Sequence, residues 1–223
     1  EAKLGHTLIM VDFTSRWEKP QIDWVKGRIF GDALISITPP YHRISYLKID
    51  NTPPHSQKYD YSKCRFKTGT KTRFEGDKVN TKCEGSDFIN TIYKTWRSQI
   101  NEVENSFFPK NEDAEQSLIY EYLVHVLREY SADFGSDYQS RELIIVSDLM
   151  QYSERVNFFK HCKSAAELLK PKKQQKADKC GSFEKLLKKE KSFANYINAT
   201  KPNNEMLKNL KVKVLFINHG YQT

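Results

Sequence analysis

No apolar run in this chain of 223 residues approaches the ~20 residues that a membrane-spanning helix needs, and no secretory signal is visible. Glycine-rich phosphate loops are missing too. Neither GxGxxG nor GxxxxGK[ST] occurs, so the backbone cradles that hold nucleotide phosphates are excluded. The absence of GxSxG removes the nucleophile elbow of the α/β-hydrolases. The four cysteines form no CxxC, and His161 and Cys162 are adjacent, not ligand-spaced, which excludes the usual zinc patterns. No internal repeat is present.

What remains is the composition of a globular protein. With 38% apolar and 29% charged residues over 223 positions, the chain suits one α/β domain spanning residues 1–223, and a second independent core is a tight fit. The first residue is Glu1, as in a processed product or an excised domain. The net charge of +8 is concentrated. Eleven lysines against four acids lie between Lys160 and Lys191. Among them Lys172, Lys173, Lys188 and Lys189 form two doublets that could meet nucleic acid or an anionic surface. The stretch has no arginine and only Phe183 as an aromatic of the Phe, Tyr or Trp type, with Phe193 just beyond it. It therefore lacks the bidentate and stacking groups that nucleic-acid surfaces usually carry, and a solvated lysine-rich excursion fits it as well.

The cysteines fall in two local pairs, Cys64 with Cys83 and Cys162 with Cys180, each bracketing a polar segment. Two loop-stapling disulfides would place the chain in an oxidising compartment, periplasmic or secreted. Four reduced thiols would suit the cytoplasm.

The apolar pattern alternates between strand and helix. Leu8–Val11 and Leu143–Val146 are short runs without alternation, suited to strands buried on both faces of a parallel sheet. Arg43–Asp50 and Val212–Ile217 read as further strands. Pro20 stands in the first turn of a helix predicted to reach Leu34. Ser86 and Asp87 open a second helix, in which Phe88, Ile92, Trp96, Ile100 and Val103 recur at helical spacing. A third spans about 115–130, another lies around Val156–Leu169, and Phe183, Leu186, Leu187, Phe193 and Ile197 suggest more helix. Residues 51–85 and 160–191 are polar excursions, the first with room for a short hairpin. Strands separated by helices imply an α/β fold, a mostly parallel central sheet covered by helices on both faces. The histidines His6, His42, His125 and His161 show no partnered pattern and read as surface or helix-face residues.

Chemistry concentrates where the buried strands end. Asp12 closes the first run, with Thr14 two residues on. Ser147 and Asp148 close the second, and Ser117 precedes the apolar face of the third helix. Such oxygen donors at the carboxyl edge of a parallel sheet suit a hard divalent cation. Asp12-Phe-Thr-Ser-Arg16, Ser117-Leu-Ile-Tyr-Glu-Tyr-Leu123 and Leu143-Ile-Ile-Val-Ser-Asp148 resemble, in that order, the three loops of the von Willebrand factor type A (VWA) family, and most of all its bacterial members. The resemblance implies a Rossmann-like three-layer sandwich. It also implies Mg²⁺ or Mn²⁺ held by Asp12, Thr14, Ser117 and Asp148, and a protein partner whose carboxylate completes the coordination. One departure stands out: where the family's DxSxS loop ends in serine, this chain has Arg16.

Other chemistries fit less well. An apolar run ending in Asp also opens the haloacid-dehalogenase phosphatases, but these need a second acid where Thr14 stands, to protonate the leaving group. A metal-dependent hydrolase would use the same oxygens, yet no nucleophile or general base accompanies them. The sequence thus leads to the expectation of a binding module, not an enzyme, with polyanion binding through the lysine excursion as the alternative.

Overall fold

Strand β1 (Lys3–Asp12) is the hub of the chain. It pairs in parallel with β2 (Arg43–Ile49) on one side and with β4 (Tyr138–Ser147) on the other. A short β3 (Tyr61–Cys64) runs antiparallel to β2, and β5 (Leu210–Phe216) runs parallel to β4. The five-stranded order is β3-β2-β1-β4-β5. These elements come from a computed structural model, which describes residues 3–14, 17–70, 73–80, 82–108, 116–128, 133–149, 151–154 and 187–217.

Alternate side chains of the central strands enter separate cores. Ile9, Val11, Ile44, Tyr46, Ile144 and Val146 meet Val25, Ile29, Leu34, Trp96, Ile100 and Phe107 on one face. These helical partners come from α1 (Lys19–Ile29), α2 (Gly31–Ile37) and α3 (Ser86–Phe107). Leu8, Met10, Leu47, Ile49, Leu143 and Ile145 meet Ile119, Tyr122 and Val126 of α4 (Ile119–Arg128) on the other. Both faces are covered, which is why the strand sequences run apolar instead of alternating. The fold is the expected α/β three-layer sandwich.

Several boundaries differ from the sequence expectation for physical reasons. The helix predicted to run to Leu34 breaks at Phe30, whose backbone is extended (φ −122°, ψ 177°). The break lets the Phe30 ring stack on Tyr46 at 4.7 Å, and Gly31 supplies the left-handed residue (φ +58°) that starts α2. Strand β4 begins five residues before Leu143 because Arg141, only 2% exposed, donates to the carbonyls of Phe134 (2.9 Å) and Met206 (2.6 Å). A polar stretch thereby becomes central strand.

The first excursion, after β2, yields β3 and a small polar core. There Arg65 and Asp77, both at 0% exposure, form a bidentate pair at 2.9 Å. Cys64 and Cys83 are exposed free thiols, so the bridge expected between them is not formed. Cys64 ends β3 opposite Arg43, whereas Cys83 sits in a separate turn fixed by Asn80 and Glu84. Cys162, Cys180 and the helix around Val156–Leu169 lie outside the described residues. After them come α5 (Lys191–Thr200), anchored by Phe193 against Tyr120, and α6 (Asn204–Leu207). No helix of the described residues is long and apolar enough to cross a membrane.

Candidate metal centre

Asp12 is the last residue of β1, and the parallel register that sets Val11 beside Val146 brings it level with the end of β4. In the order β3-β2-β1-β4-β5, chain connections leave β1 towards β2 on one side, while β4 lies on the other. The gap between the ends of β1 and β4 is therefore a topological switch point, the place where open α/β sheets bind ligands.

Asp12 is only 3% exposed. Its Oδ1 accepts the Thr14 backbone N–H at 3.0 Å and the Thr14 hydroxyl at closer range. Its Oδ2 accepts the Ser147 hydroxyl at 2.7 Å and the Ser117 hydroxyl at 3.5 Å. Burial pushes the Asp12 carboxyl above its ordinary range. The hydrogen bonds from Thr14 and Ser147 oppose that shift, and the neighbouring Asp148 carboxylate adds to it. Asp148 thus lies within electrostatic reach of Asp12, at the same edge and half-exposed. The structure brings Asp12, Thr14 and Ser117 into direct contact and sets Asp148 beside them. Ser15 and Arg16 fall outside the described residues.

The surroundings hold the cluster in place. Trp17 donates its indole N–H to the Asp12 carbonyl at 3.0 Å, tying the loop after β1 back onto the strand. Ser117 does not begin α4 itself. It forms a two-way bridge with Tyr152, Ser117 N to Tyr152 O at 2.6 Å and Tyr152 N to Ser117 O at 2.9 Å. Gln151 accepts the Tyr120 N–H at 2.9 Å, filling one of the donors a helix start leaves open, and donates to Glu121 at 2.7 Å. The loop after β4 and the start of α4 therefore form one unit. Beside it lies a crevice of about 480 Å³ lined by Gln116, Tyr152, Ser153 and Glu154.

Sequence reasoning underrated Ser147 and missed Gln151 and Tyr152. Ser147 had a visible signal, its position just before Asp148 at a strand end. Its hydroxyl also accepts the Leu149 N–H at 2.8 Å, holding that left-handed residue (φ +59°) in the turn. Gln151 and Tyr152 act across distances that no local pattern reports. The structure also corrects one reading. His6 is no surface residue: at 1% exposure its ring nitrogens meet the Ser45 hydroxyl and the Asp133 carbonyl, each at 2.8 Å. His125 is a buried helix-face residue, and His161 lies outside the described residues.

Among the described residues no group of three or more His, Cys, Asp and Glu side chains is placed to hold a metal ion. The oxygen donors gathered around Asp12 are hydroxyls, with Asp148 as a second carboxylate nearby. Lys188 and Lys189 are exposed, whereas Lys172 and Lys173 lie outside the described residues. No protein-family model matches the chain, and no curated protein matches it.

Proposed function

We propose that this chain is a VWA-type interaction module whose Asp12 cluster takes Mg²⁺ or Mn²⁺ and, through it, a partner's carboxylate. The observation that carries the reading is the electrostatic incompleteness of Asp12. A buried carboxylate ordinarily pairs with a cationic side chain or coordinates a metal. Asp12 is 3% exposed, and its hydrogen-bond partners among the described residues are three hydroxyls and one amide, all neutral. The donor set supports the choice of ion, since oxygen ligands without nitrogen or sulfur favour Mg²⁺ and Mn²⁺.

Asp12, Thr14, Ser117 and Asp148 would hold the ion, and Ser147 braces Asp12. When bound, the ion supplies an open coordination position that attracts a carboxylate. The chain's own contribution is positioning. Thr14 fixes one Asp12 oxygen, Ser147 and Ser117 fix the other, and the Ser117–Tyr152 bridge sets the third loop's distance from the sheet. Half-exposed Asp148 is the side open to a partner. Among the described residues no histidine, lysine or cysteine side chain hydrogen-bonds to Asp12 to activate these oxygens, which supports binding over catalysis.

Thermal melts with added Mg²⁺ or Mn²⁺ test this. A ligand at 100 times its Kd stabilises by about 2.7 kcal/mol, a rise of roughly 5–10 °C for a chain of this size. Asp148→Ala, at a half-exposed position, should abolish that rise with little effect on the melt without metal. Identical melts with and without either cation at millimolar concentration would refute the metal-dependent mode.

A further inference from the structure

The far edge of the sheet carries a second feature. Among the described residues no strand pairs with the outer side of β5. Three large apolar residues there are open: Val212 at 52% exposure, Val214 at 45% and Phe216 at 57%. They lie on one face, in register with Leu143, Ile145 and Ser147 of β4.

The same three residues present the free backbone groups. Ile217 N–H donates to the Ser147 carbonyl at 3.0 Å, and Arg141 N–H donates to the Asn209 carbonyl at 2.8 Å. Odd-numbered residues of β5 thus turn their N–H and C=O towards β4. Because these groups alternate along a strand, Leu210, Val212, Val214 and Phe216 turn theirs outward. An edge of this kind, apolar and unpaired, is a template for another strand.

We propose that the occupant is a second copy of this chain, joined antiparallel through β5 about a twofold axis at Val214. The argument is self-complementarity. With Val214 opposite its own copy, Val212 faces Phe216, Lys213 faces Leu215 and Lys211 faces Ile217. In this register Val212, Val214 and Phe216 all stand in hydrogen-bonded pairs, giving about six interchain N–H···O bonds. No like charges stand opposite one another. Edge lysines commonly guard against such pairing, but Lys213 is already held by Glu142 at 2.6 Å, on the other face from the apolar stripe. A shift of the axis to Lys213 would set two lysines face to face, which cross-strand pairing disfavours. The product is one continuous sheet of two five-stranded halves, with both Asp12 clusters left free.

Sedimentation equilibrium should find twice the 26.1 kDa chain mass. Val214→Lys sets two ammonium groups across the axis and should weaken the dimer at least tenfold, leaving the melting temperature of the monomer unchanged. The register has its own readout. Val214→Cys should form an interchain disulfide mapped by mass spectrometry at that position, at least tenfold faster than Val212→Cys, because only the former faces itself. A monomer at ~100 µM would overturn the proposal, as would a dimer indifferent to Val214→Lys. Slow amide exchange at Val212, Val214 and Phe216 in a monomeric sample would overturn it too, because a segment of the same chain would then cover the edge.

Discussion

Replacing Asp12 with alanine removes the common acceptor of Thr14 N–H at 3.0 Å, the Thr14 hydroxyl and the Ser147 hydroxyl at 2.7 Å. The Ser117 contact at 3.5 Å is too long to add much. Each buried donor left unsatisfied costs about 1–3 kcal/mol. Part of that is offset, since the variant no longer buries a carboxylate whose charge is already disfavoured. The expected net loss for Asp12→Ala in metal-free buffer is ~2–4 kcal/mol, a fall of roughly 5–15 °C in Tm. Asp12→Asn keeps an acceptor for Thr14 and strands only the Ser147 proton, so its cost should stay near ~1 kcal/mol.

The pH dependence gives the sign. Asp12 has a folded pKa raised above its unfolded value. Its favourable contribution is therefore full at low pH, where it is neutral in both states, and is lost as pH rises through the folded pKa. Relative to wild type, Asp12→Asn should gain stability as pH climbs from the ordinary carboxylate range. Urea titrations of the three proteins between about pH 3 and pH 7 would read both effects. An alanine cost below ~1 kcal/mol would mean that the hydroxyls do not depend on Asp12. An asparagine difference that is flat or reversed with pH would mean that Asp12 is not a buried, unneutralised acid.

Two other predictions concern parts of the chain away from the cluster. Asp77→Ala leaves the fully buried Arg65 without its bidentate partner; it should cost about 3–5 kcal/mol in chemical denaturation, whereas a loss under ~1 kcal/mol would show that water reaches the pair. If the lysine-rich segment binds polyanions, fluorescence anisotropy with duplex DNA should give an affinity that falls with salt at about −0.9 per phosphate contacted. Replacing Lys172, Lys173, Lys188 and Lys189 should flatten that slope, and no binding at ~50 mM salt would leave the segment as a solvated surface.

How much the sequence disclosed depended on whether the determining interaction was local. Leu8–Val11 and Leu143–Val146 gave away the central strands because burial on both faces leaves an unbroken apolar run. Their terminal acids marked the candidate site because a strand end fixes which sheet edge a residue reaches. Strand starts were hidden: residues 138–142 are polar, and Arg141 joins β4 only because carbonyls at Phe134, Met206 and Lys208 receive its guanidinium. The break at Phe30 was equally hidden, since it follows from stacking on Tyr46 sixteen positions away. Asp12 illustrates the limit best. Its place at a strand end could be read, but its burial comes from Ser117, 105 positions on, and Ser147, 135 positions on. Cysteine spacing misled for a related reason: nearness in sequence carried no information about where the turn at Asn80–Glu84 would aim Cys83.

The central claim is that the Asp12 cluster binds a divalent cation, and calorimetric titration with Mn²⁺ tests it most directly. Wild type should show one site per chain, lost in both Asp12→Asn and Asp148→Ala. Arg16 adds a positive charge where the VWA loop has a hydroxyl, so Arg16→Ser should tighten the same site. Absence of Mn²⁺ heat in both wild type and Arg16→Ser would contradict the account and leave the cluster as a hydrogen-bonded clasp between β1, β4 and α4.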